Sequence, residues 1–314
     1  MKRVRIAVVG AGAMARSVYL PALAAISEEV ILDTVVDIDQ VKAEWAKERY
    51  GFRRAAAHVS EVREGDVEAA LVITPVREGL DAHYEPVMEL CRRGIYVLCE
   101  KPLTLSRRRL EQMAAQPTLM PIFNRRFTPV YQQARRLFCG ESLQCLYAQK
   151  SGRGPVTREL LTNSIHILDV MRWMAGEVRE VEAMALSEDP KQELALGALL
   201  RFASGAVGIF HMSRGAGQWV ERLEATGHGR TVCVEAPHLV RWAFEDKVEE
   251  YRPDLNRWIM PAEAKFGFTP CLQRFLAWVR GIEPEAGITG PDAAQSYYLA
   301  DRILRTAGLP GLDE

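Results

Sequence analysis

The chain has 314 residues, 48% hydrophobic and 26% charged, enough to bury one or two sizeable cores, and its length favours two domains. A net charge of −1 supplies no electrostatic case for nucleic acid or an anionic membrane as a partner. The six cysteines (Cys91, Cys99, Cys139, Cys145, Cys233, Cys271) form no C-x-x-C pair and no histidine-rich ligand set, so reduced thiols and a cytoplasmic setting are expected.

Lys2, Arg3 and Arg5 ahead of an apolar run imitate a signal peptide, but Gly10 and Gly12 break the run, and it makes better sense as a folded strand. No stretch is long and apolar enough to span a bilayer. Residues 5–9 are short, apolar and β-branched, the pattern of a buried central strand. Gly10-Ala11-Gly12-Ala13-Met14-Ala15 follows, leading into a helix over 14–25. Gly10 permits the tight turn, Gly12 lets backbone amides approach a pyrophosphate, and Ala15 takes the third small-residue place. The helix start, at Ala13 and Met14, offers N–H groups to the phosphates. A bare G-x-G-x-x-A is weak by itself, because small-residue turns are common.

Residues 30–37 form a second strand ending in Asp37, about 20 residues past the glycines, where a carboxylate accepts the adenosine ribose hydroxyls. That charge repels a 2′-phosphate and favours NAD over NADP, although Arg53 and Arg54 downstream leave NADP open. The structural alternative is that Asp37 caps a helix starting near Asp39. Residues 69–73 make a third strand, ending at Thr74-Pro75; a helix over 83–93, a turn at Gly94 and a strand over 96–99 lead to Glu100-Lys101-Pro102. A helix over 106–115 closes the unit. The strand–helix alternation predicts an α/β fold, a doubly wound parallel Rossmann sheet, with Lys101 at the carboxyl edge where such folds bind ligands. A surface lysine before a loop proline is the plainer alternative. Further on, β-prone runs at 143–149, 178–185, 195–202, 207–212, 221–226 and 231–235 are separated by turn signals.

The ordered set Val8-Val9-Gly10-Ala11-Gly12-Ala13-Met14-Ala15, Thr74-Pro75, His83 with Gly94, Glu100-Lys101-Pro102, Phe123-Asn124-Arg125-Arg126-Phe127 and Ile165-His166-Ile167-Leu168-Asp169 resembles the Gfo/Idh/MocA oxidoreductases over essentially the whole chain. The Asn-Arg-Arg-Phe segment and Phe266-Gly267-Phe268 look most like its MviM-type branch. The resemblance implies a Rossmann domain, residues 1–122, and a C-terminal α/β domain, residues 123–314, with a large, open, mostly antiparallel sheet. Subunits of such proteins usually cover that face, which implies a homodimer or homotetramer.

The family places a catalytic histidine on the helix expected over 158–174, at His166. Without that match, a histidine on a polar helical face is more often a plain hydrogen-bonded residue. Asp169 would orient the ring or bind nearby backbone; its alternative is a charge paired with Arg172. The resemblance further implies hydride transfer between nicotinamide and a hydroxyl-bearing carbon of a sugar, polyol or derivative. Lys101 would bond the reacting oxygen and His166 would carry its proton, with Glu100 positioning Lys101. Thr74, Pro75, Asn124 and Arg125 would lie at the cofactor or substrate, although Arg125-Arg126 also reads as a solvated basic pair. One departure matters: many members carry an acid one turn before the histidine, where this chain has Thr162, with Asn163 beside it. That residue favours a rival reading, a non-catalytic dinucleotide-binding sensor.

Four features carry less. His211, His228 and His238 lack partners at metal-ligand spacing, so no metal is expected. Arg107-Arg108-Arg109 reads as a solvated helix end. Trp242, Phe244, Tyr251 and Trp258 read as core or interface packing rather than a sugar platform. The connection between Pro75 and His83 is longer than the family's usual one, with no role evident from sequence.

Overall fold

A computed structural model describes residues 2–63, 65–138, 143–253 and 260–314. Cys139 and Trp258 lie outside them. Two compact units form: Met1–Ile122 with Phe268–Ala294 and Glu314, and Phe123–Gly267 with Gln295–Asp313.

The first unit is built on β1 (Val4–Val9), β2 (Val30–Val36), β3 (Arg54–Ala56), β4 (Ala69–Val72), β5 (Val76–Arg77), β6 (Leu80–Asp81), β7 (Tyr96–Cys99) and β8 (Leu119–Pro121). Six of these pair in parallel, in the order β3-β2-β1-β4-β7-β8. β4 is buried throughout and β1 almost so, the continuous apolar signature of strands covered on both faces. This is the Rossmann sheet expected. The edge strands β3 and β8 are too short to stand out in the sequence, and Pro121 is tolerated because β8 has a free edge.

Phe268–Val279 groups with these residues although it follows the second sheet in sequence, so a single cut at Phe123 does not describe the contacts. Its buried Cys271, Leu272, Phe275 and Leu276 form an apolar stripe, and Phe268 sets its ring edge-on to Tyr19, centroids 5.4 Å apart. Arg280 Nη1 pairs with Glu29 at 2.9 Å.

In the second unit β9 (Cys145–Arg153), β10 (Val178–Asp189), β11 (Gln192–Phe202), β12 (Val207–Ser213), β13 (Gly215–Gly227), β14 (Arg230–Glu235), β15 (Leu239–Phe244) and β16 (Lys247–Tyr251) make one sheet, ordered β10-β11-β12-β9-β13-β14-β15-β16. β12 and β9 run parallel; the other neighbours are antiparallel. The β15–β16 hairpin was not expected. Its two-residue turn uses Glu245 and Asp246 at φ +49° and +61° in place of the usual Asn-Gly, so the sequence signal was hidden. One face is buried through Leu200, Phe210, Leu146, Leu223 and Val232, while Met184, Leu186, Leu199 and Ile209 stand exposed on the alternate positions.

Candidate functional site

In the first unit the sequence-picked residues meet at the carboxyl ends of β1, β2, β4 and β7. Gly10 has φ +101°, and a Cβ there would lie 2.7 Å from the Ile73 carbonyl oxygen, so glycine alone fits between the strand ends. At Gly12 a Cβ would meet nothing within 4 Å. The position therefore faces open space, beside exposed Ala13 and Met14, where a pyrophosphate could approach the backbone. The helical run that follows contains a π-turn over Ala15–Tyr19 before Leu20–Ala25, which no local pattern announces.

Asp37 accepts the Ala11 N–H at 2.8 Å through Oδ2 and the Asp39 N–H at 2.9 Å through Oδ1. It steadies the loop and does not cap the next helix; Asp39 does that, accepting from Val41 and Lys42. A carboxylate has about four acceptor sites, so capacity remains for ribose hydroxyls. Arg54 is held by Asp33 at 3.1 Å and Asp66 at 2.9 Å, and Arg53 lies 3.7 Å from Asp33. The arginines that could have drawn a 2′-phosphate are thus paired with other acids. These observations fit a dinucleotide: an open glycine position, a helix start and an acid at the end of β2.

Thr74 donates its hydroxyl to the Ala82 carbonyl at 2.7 Å, closing the segment after β4. That segment is an ordered hairpin, Val76–Arg77 with Leu80–Asp81. Asp81 anchors it, accepting from Thr104 Oγ1 at 2.7 Å and Arg109 Nη1 at 3.1 Å. Glu100 is buried and its carboxylate accepts the Lys101 N–H; Lys101 is half-buried, and its peptide bond to Pro102 is cis. One residue with no role evident from sequence supports this turn, and another lies beside it. His83, fully buried, donates Nδ1–H to the Pro102 carbonyl at 2.9 Å, and burial pushes its pKa below the usual histidine value, so the ring stays neutral. Tyr19, from the π-turn, is buried; burial first, then the Glu100 charge, push its phenol well above the ordinary tyrosine range. His83 belongs to the ordered motif set and stands at a helix start after a strand, although no local signal gives it this role; nothing points to Tyr19.

In the second unit the turn Asn124–Phe127 is packed from all sides. Asn124 donates Nδ2–H to the Phe266 carbonyl at 2.7 Å. Gly267, at φ +84°, lets the chain pass so close that a Cβ would collide with the Asn124 carbonyl oxygen. Arg125 is buried, not solvated. Its Nε and Nη2 reach Glu221 at 2.6 and 3.1 Å, and Lys150 Nζ and Tyr131 Oη add bonds at 3.0 and 3.1 Å. Burial pushes the Glu221 carboxyl up, but the Arg125 and Lys150 charges and hydrogen bonds outweigh it and hold its pKa at about 2.

His166 lies on the helix Ile165–Ala175, preceded by a second π-turn at Leu160–Ser164. Phe123 meets its imidazole edge-on, centroids 6.0 Å apart. Asp169 is fully buried, and its bonds run to Arg126 and Ser296, with neither oxygen given to the imidazole. Thr162 donates its hydroxyl to the Arg158 carbonyl at 2.9 Å, closing the helical turn on itself. An acid does sit nearby: buried Glu159 accepts Asn163 Nδ2–H at 2.8 Å and Ser164 O–H at 2.7 Å. Among the described residues no group of three or more His, Cys, Asp or Glu could hold a metal ion.

The family model for an oxidoreductase family with an NAD-binding Rossmann fold matches residues 4–117, and that for the Gfo/Idh/MocA C-terminal domain matches residues 152–232. An inositol 2-dehydrogenase of Corynebacterium glutamicum is 30% identical over 337 aligned positions, covering 99% of this chain and 95% of that protein. Among solved structures, a Clostridium difficile dehydrogenase described as MviM superposes with a TM-score of 0.84 at 20% identity, covering 97% of this chain and 100% of the other. A levoglucosan dehydrogenase in complex with NADH superposes at 0.80 with 18% identity, covering 98% and 97%.

Proposed function

Because the chain belongs to the Gfo/Idh/MocA family of oxidoreductases, we propose that it moves hydride between a nicotinamide cofactor and a hydroxyl-bearing carbon of a sugar, polyol or derivative. The observation that carries this reading is the convergence of Gly10, Gly12, Asp37 and Lys101 at one end of a parallel sheet. Bound nicotinamide supplies the hydride acceptor or donor. Gly12, Ala13 and Met14 present backbone to the pyrophosphate, and Asp37 accepts from the ribose, which favours NAD. Glu100, through the Lys101 N–H, holds Lys101 for a hydrogen bond to the reacting oxygen. His166 carries the proton. Inositol 2-dehydrogenase as a relative supports a polyol substrate.

Met184 and Leu186, 81% and 62% exposed, with Leu199 and Ile209, give the open sheet an apolar face suited to a second copy of the chain. No helix among the described residues is long and apolar enough to cross a membrane, and the five described cysteines are unpaired, which fits a reducing compartment such as the cytoplasm.

The test is titration of the folded protein with NADH and NADPH by fluorescence, followed by turnover of myo-inositol and other polyols with the tighter cofactor. NADH should bind more tightly, and Lys101→Ala should abolish turnover while leaving the fold intact. Absence of binding by both cofactors would sink the assignment. Thr162, its hydroxyl spent on the helix, is the one observation favouring the sensor, and tight binding without turnover of any substrate would select it.

A further inference from the structure

Asp169 stands one helical turn beyond His166, yet its hydrogen bonds go elsewhere. Oδ1 accepts from Arg126 Nη2 at 2.6 Å and from Ser296 Oγ at 2.8 Å, and Oδ2 accepts from Arg126 Nε at 2.8 Å. The guanidinium and carboxylate therefore meet as two parallel bonds, with side-chain exposures of 8% and 0%. Arg172 Nη1, on the same helix, donates to the same Ser296 oxygen at 2.7 Å. The other end of the Arg126 turn also reaches the helix, because Phe123 is completely buried with its ring at 89° to the His166 imidazole. The segment 123–126 is thus fastened to the helix at two levels: ring against ring at His166, and fork against carboxylate at Asp169.

We propose that Arg126 is a positioning residue for His166, its fork on Asp169 holding the Phe123 ring and through it the orientation of the imidazole. This deepens the dehydrogenase reading and rests on His166 as its proton carrier. It also changes the part assigned to Asp169, which acts on the turn through Arg126 and not on the imidazole directly. The physical ground is the rigidity of a planar, bidentate guanidinium pair; lysine supplies the charge without the geometry. Closing it in a dry interior removes water as an alternative partner for either group, so the turn has one register on the helix.

The experiment compares Arg126→Lys, Asp169→Asn and the double variant. It reads kcat and KM for polyol oxidation with NAD, thermal midpoint, and the nitrogen resonances of the His166 ring in 15N-histidine-labelled protein, identified by their loss in His166→Gln. Misplacing a reacting group by about an ångström costs on the order of a hundredfold, so Arg126→Lys should lower kcat about that much with KM little changed. Asp169→Asn should lower it equally, the double variant no further, and the His166 resonances should move in all three. A kcat for Arg126→Lys within about twofold of the parent, or losses that multiply in the double variant, would overturn the proposal. If the parent oxidises no polyol, the dehydrogenase reading fails separately; unmoved His166 resonances in folded Arg126→Lys would still overturn the positioning role. Should Arg126→Lys not fold, Arg126→Gln with Asp169→Asn, neutral on both sides, is read by the same resonances.

Discussion

The carboxyl end of the first sheet and the Asn124–Phe127 turn of the second unit differ in where their polar groups lie. At the first, Gly12, Ala13, Met14, Thr74, Pro75 and Lys101 are half or fully exposed, and backbone shape does most of the selecting. At the second, Asn124, Arg125, Arg126, Lys150, Asp169 and Glu221 are all buried, and charges meet charges. The first region resembles a surface kept ready for a ligand. The second is a scaffold whose cost of desolvation is offset only while each buried ion keeps its partner. A substitution should accordingly act on binding in the first region and on folding in the second, with turnover affected as well at Arg126 and Asp169.

The largest effect should come from Glu221→Gln, which leaves Arg125 and Lys150 beside a neutral amide in the interior. Breaking such a buried arrangement costs about 3–5 kcal/mol, readable as a lower urea midpoint at pH 7. An unchanged midpoint would show that these charges are better hydrated than their burial implies. The acid limb gives an independent reading. The carboxyl titrates at about 2 when folded, against 4.5 as its ordinary value, so between those values the unfolded chain binds more protons. This contribution is complete above pH 4.5 and is lost as pH falls towards 2. A shift of that size corresponds to about 3 kcal/mol, which the Gln variant should lack.

The glycine loop provides the opposite behaviour from adjacent positions. Gly10→Ala forces a Cβ against the Ile73 carbonyl at a φ of +101°, so it should lower stability by about 1–3 kcal/mol and NADH affinity with it. Gly12→Val adds a Cβ that has nothing within 4 Å of it in the protein. It should leave the melting temperature unchanged while weakening NADH about 10- to 100-fold, the loss expected for one charged hydrogen bond. Unimpaired NADH binding by a folded Gly12→Val protein would place the pyrophosphate elsewhere.

The same contrast explains what was legible in the sequence. The glycine turn, β1, β2, β4 and β7 are local patterns, each declared by a few consecutive residues, and the Rossmann sheet follows from them. The Arg125–Glu221 and Arg126–Asp169 pairs join residues 96 and 43 positions apart, and no local spacing announces them. Arg125-Arg126 consequently read as a possible solvated pair, and Asp169 as a partner for the histidine ring. The helix holding His166 is expected over 158–174, but the π-turns at Ala15–Tyr19 and Leu160–Ser164 are not, since an extra residue per turn leaves no compositional mark. Phe268–Val279 shows the limit of reading domains as continuous stretches: it follows the second sheet in sequence, and only packing shows which core it joins.

The smallest effect tests whether the exposed region has buried support of its own. His83 is neutral and donates to the Pro102 carbonyl behind Lys101. Its folded pKa is depressed by burial below the ordinary 6.5, so as pH falls through 6.5 the unfolded chain takes up a proton that the folded chain refuses. Its contribution is therefore whole above pH 6.5 and declines below it. His83→Asn, which can still donate but cannot titrate in this range, should flatten that part of the stability curve and cost about 1 kcal/mol at neutral pH from an imperfect hydrogen bond. Because the bond holds the residue after Lys101, turnover should fall more than NADH affinity. Equal losses in both would mean that His83 supports the whole strand end and not the lysine turn in particular.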